Sequence, residues 1–331
     1  MNQNATIAVA ARSDSLRGIA CLVLGIAVFA LQDVVIKKIS GVYPLHEAMV
    51  LRSIAAFPVL LLLVWRDGGF ATLTGPGWPW LLIRGTVAFM AYSCYYLGLA
   101  ALPIATAVAL YFAAPLFITV LSVLFLGERV GARRWAAVVI GFLGVVTIVR
   151  PGTALFDWAS LLPITAAFLY AVAMVLTRRI GGSETAPAMS TWGNFVFLVG
   201  ALALSAVFGS GSHDGETHRS LAFLMRGWVQ PSLVDFALMA SCGVIAALGL
   251  TLLTQAYRVA EANVVAPFEY TGLIWSVLYG WLFWREWPDP VGWVGILIIV
   301  AAGTYVFYRE RSMPIGIRLA RSAPAPIDHS R

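Results

Sequence analysis

Asp33, Glu47, Arg52, Arg84, Asp235 and Glu269 are ionisable side chains set in, or at the ends of, long apolar runs. A charge in such surroundings costs several kcal/mol unless it is paired or hydrated, so each must have something to hold. Arg84 and Asp235 fall near the ends of their runs, where a side chain can reach the interface and needs no further role. Asp33 lies four residues before Lys37, the spacing of an ion pair along one helix face, with contact to a solute as the other reading. Glu47 and Arg52 are five residues apart and do not share a face; they read as members of inter-helix ion pairs rather than solute contacts. Glu269 is different, because it stands seven residues inside its run, just after Pro267 and before Tyr270. A proline there frees a backbone carbonyl and kinks the helix, which suits a carboxylate that carries a proton or touches a solute.

Aromatic side chains form the second group: Tyr92, Tyr95, Tyr96, Tyr111, Phe112, Tyr170, Trp192, Phe268, Tyr270, Trp275 and Tyr279. Taken singly, each reads as packing or as an interface anchor. Together, ring faces with few fixed charges suit a planar, largely neutral solute that stacks and hydrogen-bonds. Gln255 and Asn263 add amide groups near the ends of their runs. The candidate binding set is therefore Tyr92, Tyr111, Trp192, Gln255, Asn263, Glu269, Tyr270 and Trp275, with Asp33, Glu47 and Arg52 as coupling or ion-pair residues.

Several chemistries lack their residues. No Gly-x-x-x-x-Gly-Lys-Ser/Thr loop is present to hold a nucleotide. His46-Glu47 lacks the second histidine of a zinc-hydrolase helix, and His213, His218 and His329 fall in a linker or the tail. A membrane-embedded lipid-modifying enzyme is the alternative on the same segments, and it would need an acid, base or metal constellation. Cys21, Cys94 and Cys242 lie within apolar runs and read as small packing residues. Nothing calls for a metal or a cofactor.

The elements that must position these residues are ten apolar runs, at 19–36, 48–65, 80–102, 104–126, 135–149, 158–176, 189–208, 233–254, 262–284 and 291–307. A bilayer core of about 30 Å takes a helix of ~20 residues to cross. With 60% hydrophobic and 11% charged residues, the 331-residue chain is an all-α membrane protein whose function sits inside the bundle. The longest linker, 209–232, is too short for a water-soluble domain.

The runs fall into two sets of five. A shift of 158 residues pairs Leu124-Phe125 with Leu282-Phe283, Glu128 with Glu286, and Trp135 with Trp293. A shift of 141 pairs Lys37-Lys38-Ile39-Ser40-Gly41 with Arg178-Arg179-Ile180-Gly181-Gly182. An odd number of spans per half turns the second half over, giving two inverted five-helix repeats. The 158 shift also sets Tyr111 against Glu269, symmetry-matched positions where a shared cavity would be lined.

With both termini in the cytoplasm, inner segments carry fifteen Lys and Arg and outer segments six, as the positive-inside rule requires. The net charge of +6 then reflects anchoring at anionic lipid rather than nucleic-acid binding. The N-terminal run has the look of a signal peptide, yet it has a counterpart in the second half and is expected to be retained. The Gly141-x-x-Gly144 and Gly292-x-x-Gly295 pairs can pack spans within one chain or between two, which leaves a homodimer open.

One ordered set of short motifs recurs in both halves. The first half has Leu102-Pro103-Ile104-Ala105-Thr106-Ala107, Ala114-Pro115-Leu116, Leu126-Gly127-Glu128-Arg129, Trp135 and Gly141-Phe142-Leu143-Gly144. The second has Ala260-Glu261-Ala262-Asn263, Pro267, Glu286 and Gly292-Trp293-Val294-Gly295. Over about residues 16–308 this resembles the drug/metabolite transporter superfamily, in its ten-helix EamA-like branch. The resemblance implies repeats at 16–150 and 155–308, a basic cytoplasmic tail at 309–331, and a central cavity opening alternately to either side of a bacterial inner membrane. It further implies secondary transport of small organic metabolites without ATP, with export of amino acids or drugs on the same fold as the alternative to uptake. Gln32-Asp33-Val34-Val35-Ile36-Lys37, Tyr43-Pro44-Leu45-His46-Glu47 and Val265-Ala266-Pro267-Phe268-Glu269-Tyr270 look most like members tied to riboflavin or S-adenosylmethionine uptake. The second half departs from the first in one respect. Leu273 matches Pro115 while the proline sits at Pro267, so the halves are expected to differ there.

Overall fold

The computed structural model describes residues 3–75, 77–126, 131–180, 185–259 and 266–311, and these are helical with no strand among them. In chain order the helices are α1 (Gln3–Ile39), α2 (Leu45–Arg66), α3 (Trp78–Ala101), α4 (Ile104–Tyr111), α5 (Ala114–Leu126) and α6 (Ala132–Val149). The second half continues with α7 (Leu161–Ile180), α8 (Ala186–Phe208), α9 (Arg219–Met225), α10 (Leu233–Val259), α11 (Thr271–Trp284) and α12 (Pro290–Arg311). Leu16–Ile39, Leu45–Arg66, Ile104–Phe125, Trp158–Thr177 and Pro187–Phe208 are long and apolar enough to cross a bilayer. Shorter apolar helices cover Trp135–Val149, Leu233–Gly249 and Pro290–Tyr305.

Packing follows the repeat. Taking α1, α2, α3, α4/α5 and α6 as mates of α7, α8, α10, α11 and α12, the neighbours of one half map onto those of the other. α1 lies along α10, and its mate α7 lies along α3. α1 also meets α11, and α7 meets α4 and α5. α2 against α10 answers α3 against α8, while α2–α8, α6–α12 and α4–α11 are pairs of mates. The halves are thus interleaved around a pseudo-two-fold axis, and neither is a separate bundle.

The fourth span is broken. α4 stops at Tyr111 and α5 starts at Ala114, with Pro115 next in line. Pro115 has no N–H to offer the Tyr111 carbonyl, and the helix is interrupted there. In the second half a 3-10 turn, Ala266–Tyr270, passes into α11 at Thr271. Shifted by 158 residues, Phe112 and Ala113 fall on Tyr270 and Thr271, so the two irregularities coincide. The halves differ in proline placement: Pro115 follows the first break, whereas Pro267 lies within the 3-10 turn that precedes α11.

The apolar side chains that remain exposed, among them Leu62, Ile83, Leu143, Ile274, Leu282 and Leu297, lie on the bundle's periphery, where lipid is the solvent. Gly144 and Gly295 are spent inside the chain. A methyl group on Gly295 would lie 3.0 Å from the Gly144 carbonyl, which brings α6 and α12 into close contact. The 209–232 linker also holds a helix: α9 packs on α3 and buries Phe223 completely.

Candidate functional site

Three tyrosines of α3, Tyr92, Tyr95 and Tyr96, share one helix face because they are spaced three and four apart. That face is met by Asp33 and Gln32 of α1. The Tyr95 hydroxyl donates to Asp33 Oδ2 at 2.8 Å, and Gln32 Nε2 donates to the Tyr96 hydroxyl at 2.6 Å. Tyr111, at the end of α4, stands between Tyr95 and Tyr170 of α7, with ring centroids 5.0 and 5.6 Å away. Tyr92 continues the cluster onto Phe197 of α8 at 5.5 Å. At the broken second-half span, Tyr270 lies 5.2 Å from Phe112, and Glu269 lies within electrostatic reach of Tyr170 and Tyr270. The two span breaks therefore face each other across an aromatic cluster, and helices from both halves contribute to it.

The structure brings Tyr92, Tyr111, Glu269, Tyr270 and Asp33 together as neighbours of this cluster. Arg52 joins from α2, with its guanidinium carbon 5.4 Å from the Phe197 ring centroid. Trp192 does not belong: its indole N–H donates to the Leu73 carbonyl at 3.0 Å, tying α8 to the turn after α2. Trp275 stacks against Tyr279 at 5.9 Å, one helical turn away on α11. Asn263 lies outside the described residues, as does the side chain of Gln255.

Several expected pairings are replaced. Lys37 turns away from Asp33 and holds Glu286, with Nζ 2.7 and 2.8 Å from the two carboxylate oxygens. Its remaining protons include one donated to the Leu102 carbonyl at 2.9 Å. The end of α1 abuts the end of α11, so a cross-bundle partner wins over the one a helical turn back. Glu47 accepts the Val229 N–H at 3.1 Å in place of an ion pair. Arg52 makes no ion pair among the described residues, and its Nε is buried without a hydrogen-bond acceptor. Arg84 donates its Nε–H to Thr177 Oγ1 at 2.6 Å, linking α3 to α7 near the end of both helices' apolar runs. Asp235 accepts from Tyr43 at 2.8 Å and from Ser232 at 2.7 Å.

Gln32, Phe197 and the Lys37–Glu286 pair were not legible as parts of one site. Gln32 carried a signal, an amide beside an acid within an apolar run, whereas Phe197 carried none. Beside Glu286 a pocket of about 180 Å³ is lined by Thr106, Ile148, Asp289 and Ile296 among others. Asp289 in its lining accepts from Arg150 at 2.5 and 2.6 Å, which holds that carboxyl below the usual aspartate range. Among the described residues, no three His, Cys, Asp or Glu side chains gather as metal ligands.

Residues 16–150 and 157–308 match the EamA-like transporter family. The chain is 34% identical over 237 residues to a riboflavin transporter of Rhizobium johnstonii, covering 70% of this chain and 72% of that protein. It is 29% identical over 295 residues to the pseudopaline exporter CntI of Pseudomonas aeruginosa, covering 86% and 94%. To an S-adenosylmethionine uptake transporter of Rickettsia prowazekii it is 28% identical over 296 residues, covering 89% and 94%. A crystal structure at 17% identity superposes with a TM-score of 0.59 over 92% of this chain and 100% of that one, a likeness of fold alone.

Proposed function

The chain belongs to the EamA-like transporter family and is a membrane transporter of small molecules rather than an enzyme, and from that premise we propose an uptake carrier for riboflavin or a similar aromatic or nucleoside-like metabolite. The observation that carries the reading is the position of Tyr111, between the rings of Tyr95 and Tyr170 and opposite the break that bears Glu269 and Tyr270. Ring faces supply stacking surface, and phenol hydroxyls supply hydrogen bonds, on elements contributed by both repeats. An irregular backbone at membrane depth is tolerated where it lines a cavity, and the two coincident breaks fit that role.

In this reading the repeats, 16–150 and 155–308, rock against each other about the aromatic cluster, with both termini and the 309–331 tail in the cytoplasm of a bacterial cell. Lys37–Glu286 then closes the outer end of the path. The direction of uptake follows relatives named for riboflavin transport and S-adenosylmethionine uptake. Export on the same fold is a second reading, drawn from the relative named as a pseudopaline exporter. Labelled riboflavin and S-adenosylmethionine, offered to liposomes containing the purified protein, test the proposal. Saturable uptake of one compound that falls with Tyr111→Ala supports it, and counterflow from preloaded vesicles separates import from export.

A further inference from the structure

Two opposite charges at membrane depth face one cluster of side chains and do not pair. Arg52 is half-buried, its Nε has no hydrogen-bond acceptor, and among the described residues it forms no ion pair. Asp33 is also half-buried; its described partner is the Tyr95 hydroxyl, and the lysine one helical turn away is bound to Glu286. One run of rings joins them: Arg52 lies 5.4 Å from Phe197, Phe197 5.5 Å from Tyr92, Tyr92 6.0 Å from Tyr96 and Tyr96 5.9 Å from Tyr95, which holds Asp33. Gln32 Oε1, beside Tyr96, is likewise buried and without a donor.

A guanidinium and a carboxylate this deep are each costly, and the cheapest remedy would be to join them. The fold keeps them apart. α2 is fixed at this level by α10, where a methyl group on Gly243 would collide with the Arg52 carbonyl and stand 2.8 Å from the Ala56 nitrogen. α1 is fixed by the Gln32–Tyr96 and Asp33–Tyr95 hydrogen bonds. What remains is a cation beside Phe197 and an anion on the Tyr95 hydroxyl, at two places on one set of aromatic rings, with Gln32 Oε1 also unsatisfied there. A bound molecule with the complementary pair of charges would satisfy all three.

We infer that the transported molecule is a zwitterion: a carboxylate taken by Arg52, a cationic centre opposite Asp33, and an aromatic or heteroaromatic body among the tyrosines. The planar fork of arginine matches a carboxylate in a bidentate way that lysine does not, and the tyrosine faces add cation–π attraction to the positive centre. An amino-acid-bearing nucleoside or aromatic conjugate has this chemistry. A neutral flavin would stack but leave both charges bare. The inference rests on the carrier reading above and narrows it.

Binding to the full-length protein in detergent, followed by tryptophan fluorescence, tests it with three probes: S-adenosylmethionine, its decarboxylated form, and riboflavin. The expected result is that wild type binds the carboxylated member at least about tenfold more tightly than the decarboxylated one. Arg52→Gln should bring that ratio close to one by weakening the carboxylated member alone, Arg52→Lys should restore part of it, and Asp33→Asn should weaken both members alike. Equal affinity for the two forms in wild type, or a ratio untouched by Arg52→Gln, overturns the inference. Tight riboflavin binding indifferent to Arg52 overturns it and leaves the carrier reading standing. Binding of none of the three overturns both. Should Arg52→Gln fail to fold, the wild-type ratio and Arg52→Lys still decide.

Discussion

Lys37 Nζ lies 2.7 Å from Glu286 Oε2, joining the end of α1 to the residue that follows α11 by two, across 249 positions of sequence. The lysine is buried, its side chain 7% exposed and that of its partner 29%. A second carboxylate contact and the Leu102 carbonyl complete its coordination. Removing one member of such a pair strands a charge in low dielectric, at a cost of about 3 kcal/mol. Glu286→Gln should therefore lower the unfolding temperature of the detergent-solubilised protein, and Lys37→Met combined with Glu286→Met should recover most of the loss. Equal effects of the single and double variants would mean that the pair does not fasten the two helices.

Tyr111 separates stacking from hydrogen bonding in a way that can be measured. Its ring contacts two others, each worth about 0.5–1.5 kcal/mol beyond area burial. Tyr111→Phe retains both faces and should keep the KM for uptake within about twofold. Tyr111→Ala removes the ring that would stack on the solute, a contact of about 0.5–1.5 kcal/mol, and should raise it by about threefold to tenfold. A Phe variant as impaired as the Ala variant would assign the effect to the hydroxyl.

The comparison of these residues with their sequence explains what could be read early. Apolar runs, the shift of 158 and the odd span count fix a ten-span inverted repeat because burial in lipid leaves a strong, local signal. Glu269, Tyr111 and Tyr92 stand out in the sequence for the same reason: polar atoms within such runs are conspicuous. Partner choice was not recoverable. Spacing alone pairs Asp33 with Lys37, but Glu286 reaches the lysine from the far end of the chain, and Tyr95 satisfies the aspartate. Trp192 looked like a stacking residue and is instead a tie to the Leu73 carbonyl. Phe197 is one phenylalanine among eighteen, and only packing sets it beneath Arg52.

Arg150 and Asp289 offer a pH test with a definite sign. Asp289 lies between α11 and α12, and its carboxyl titrates below the ordinary range because of the Arg150 hydrogen bonds. A depressed carboxylate pKa contributes stability that is fully present above the unfolded value of about 3.9 and is lost only as pH falls through the lower folded value. Both lie well under physiological pH, and the aspartate is largely exposed, which keeps the contribution small. Asp289→Asn should leave the shape of the uptake profile between about pH 5 and 8 unchanged. A profile altered in that window would give this pair a part in proton coupling.

Glu269 is the residue on which such coupling should turn. It sits in the Ala266–Tyr270 turn, at the level where α4 also breaks, and in the proposed carrier a carboxyl there is reached by whatever passes between the repeats. A carrier that uses this proton must bind and release it once per cycle, whereas exchange of one substrate molecule for another needs no net proton movement. Glu269→Gln fixes the site in its neutral form. Counterflow by the variant should then persist within about threefold of wild type, while uptake driven by an imposed proton gradient falls by about tenfold or more. Loss of both activities together would make Glu269 a substrate contact, because an amide would then have failed at binding rather than at proton exchange.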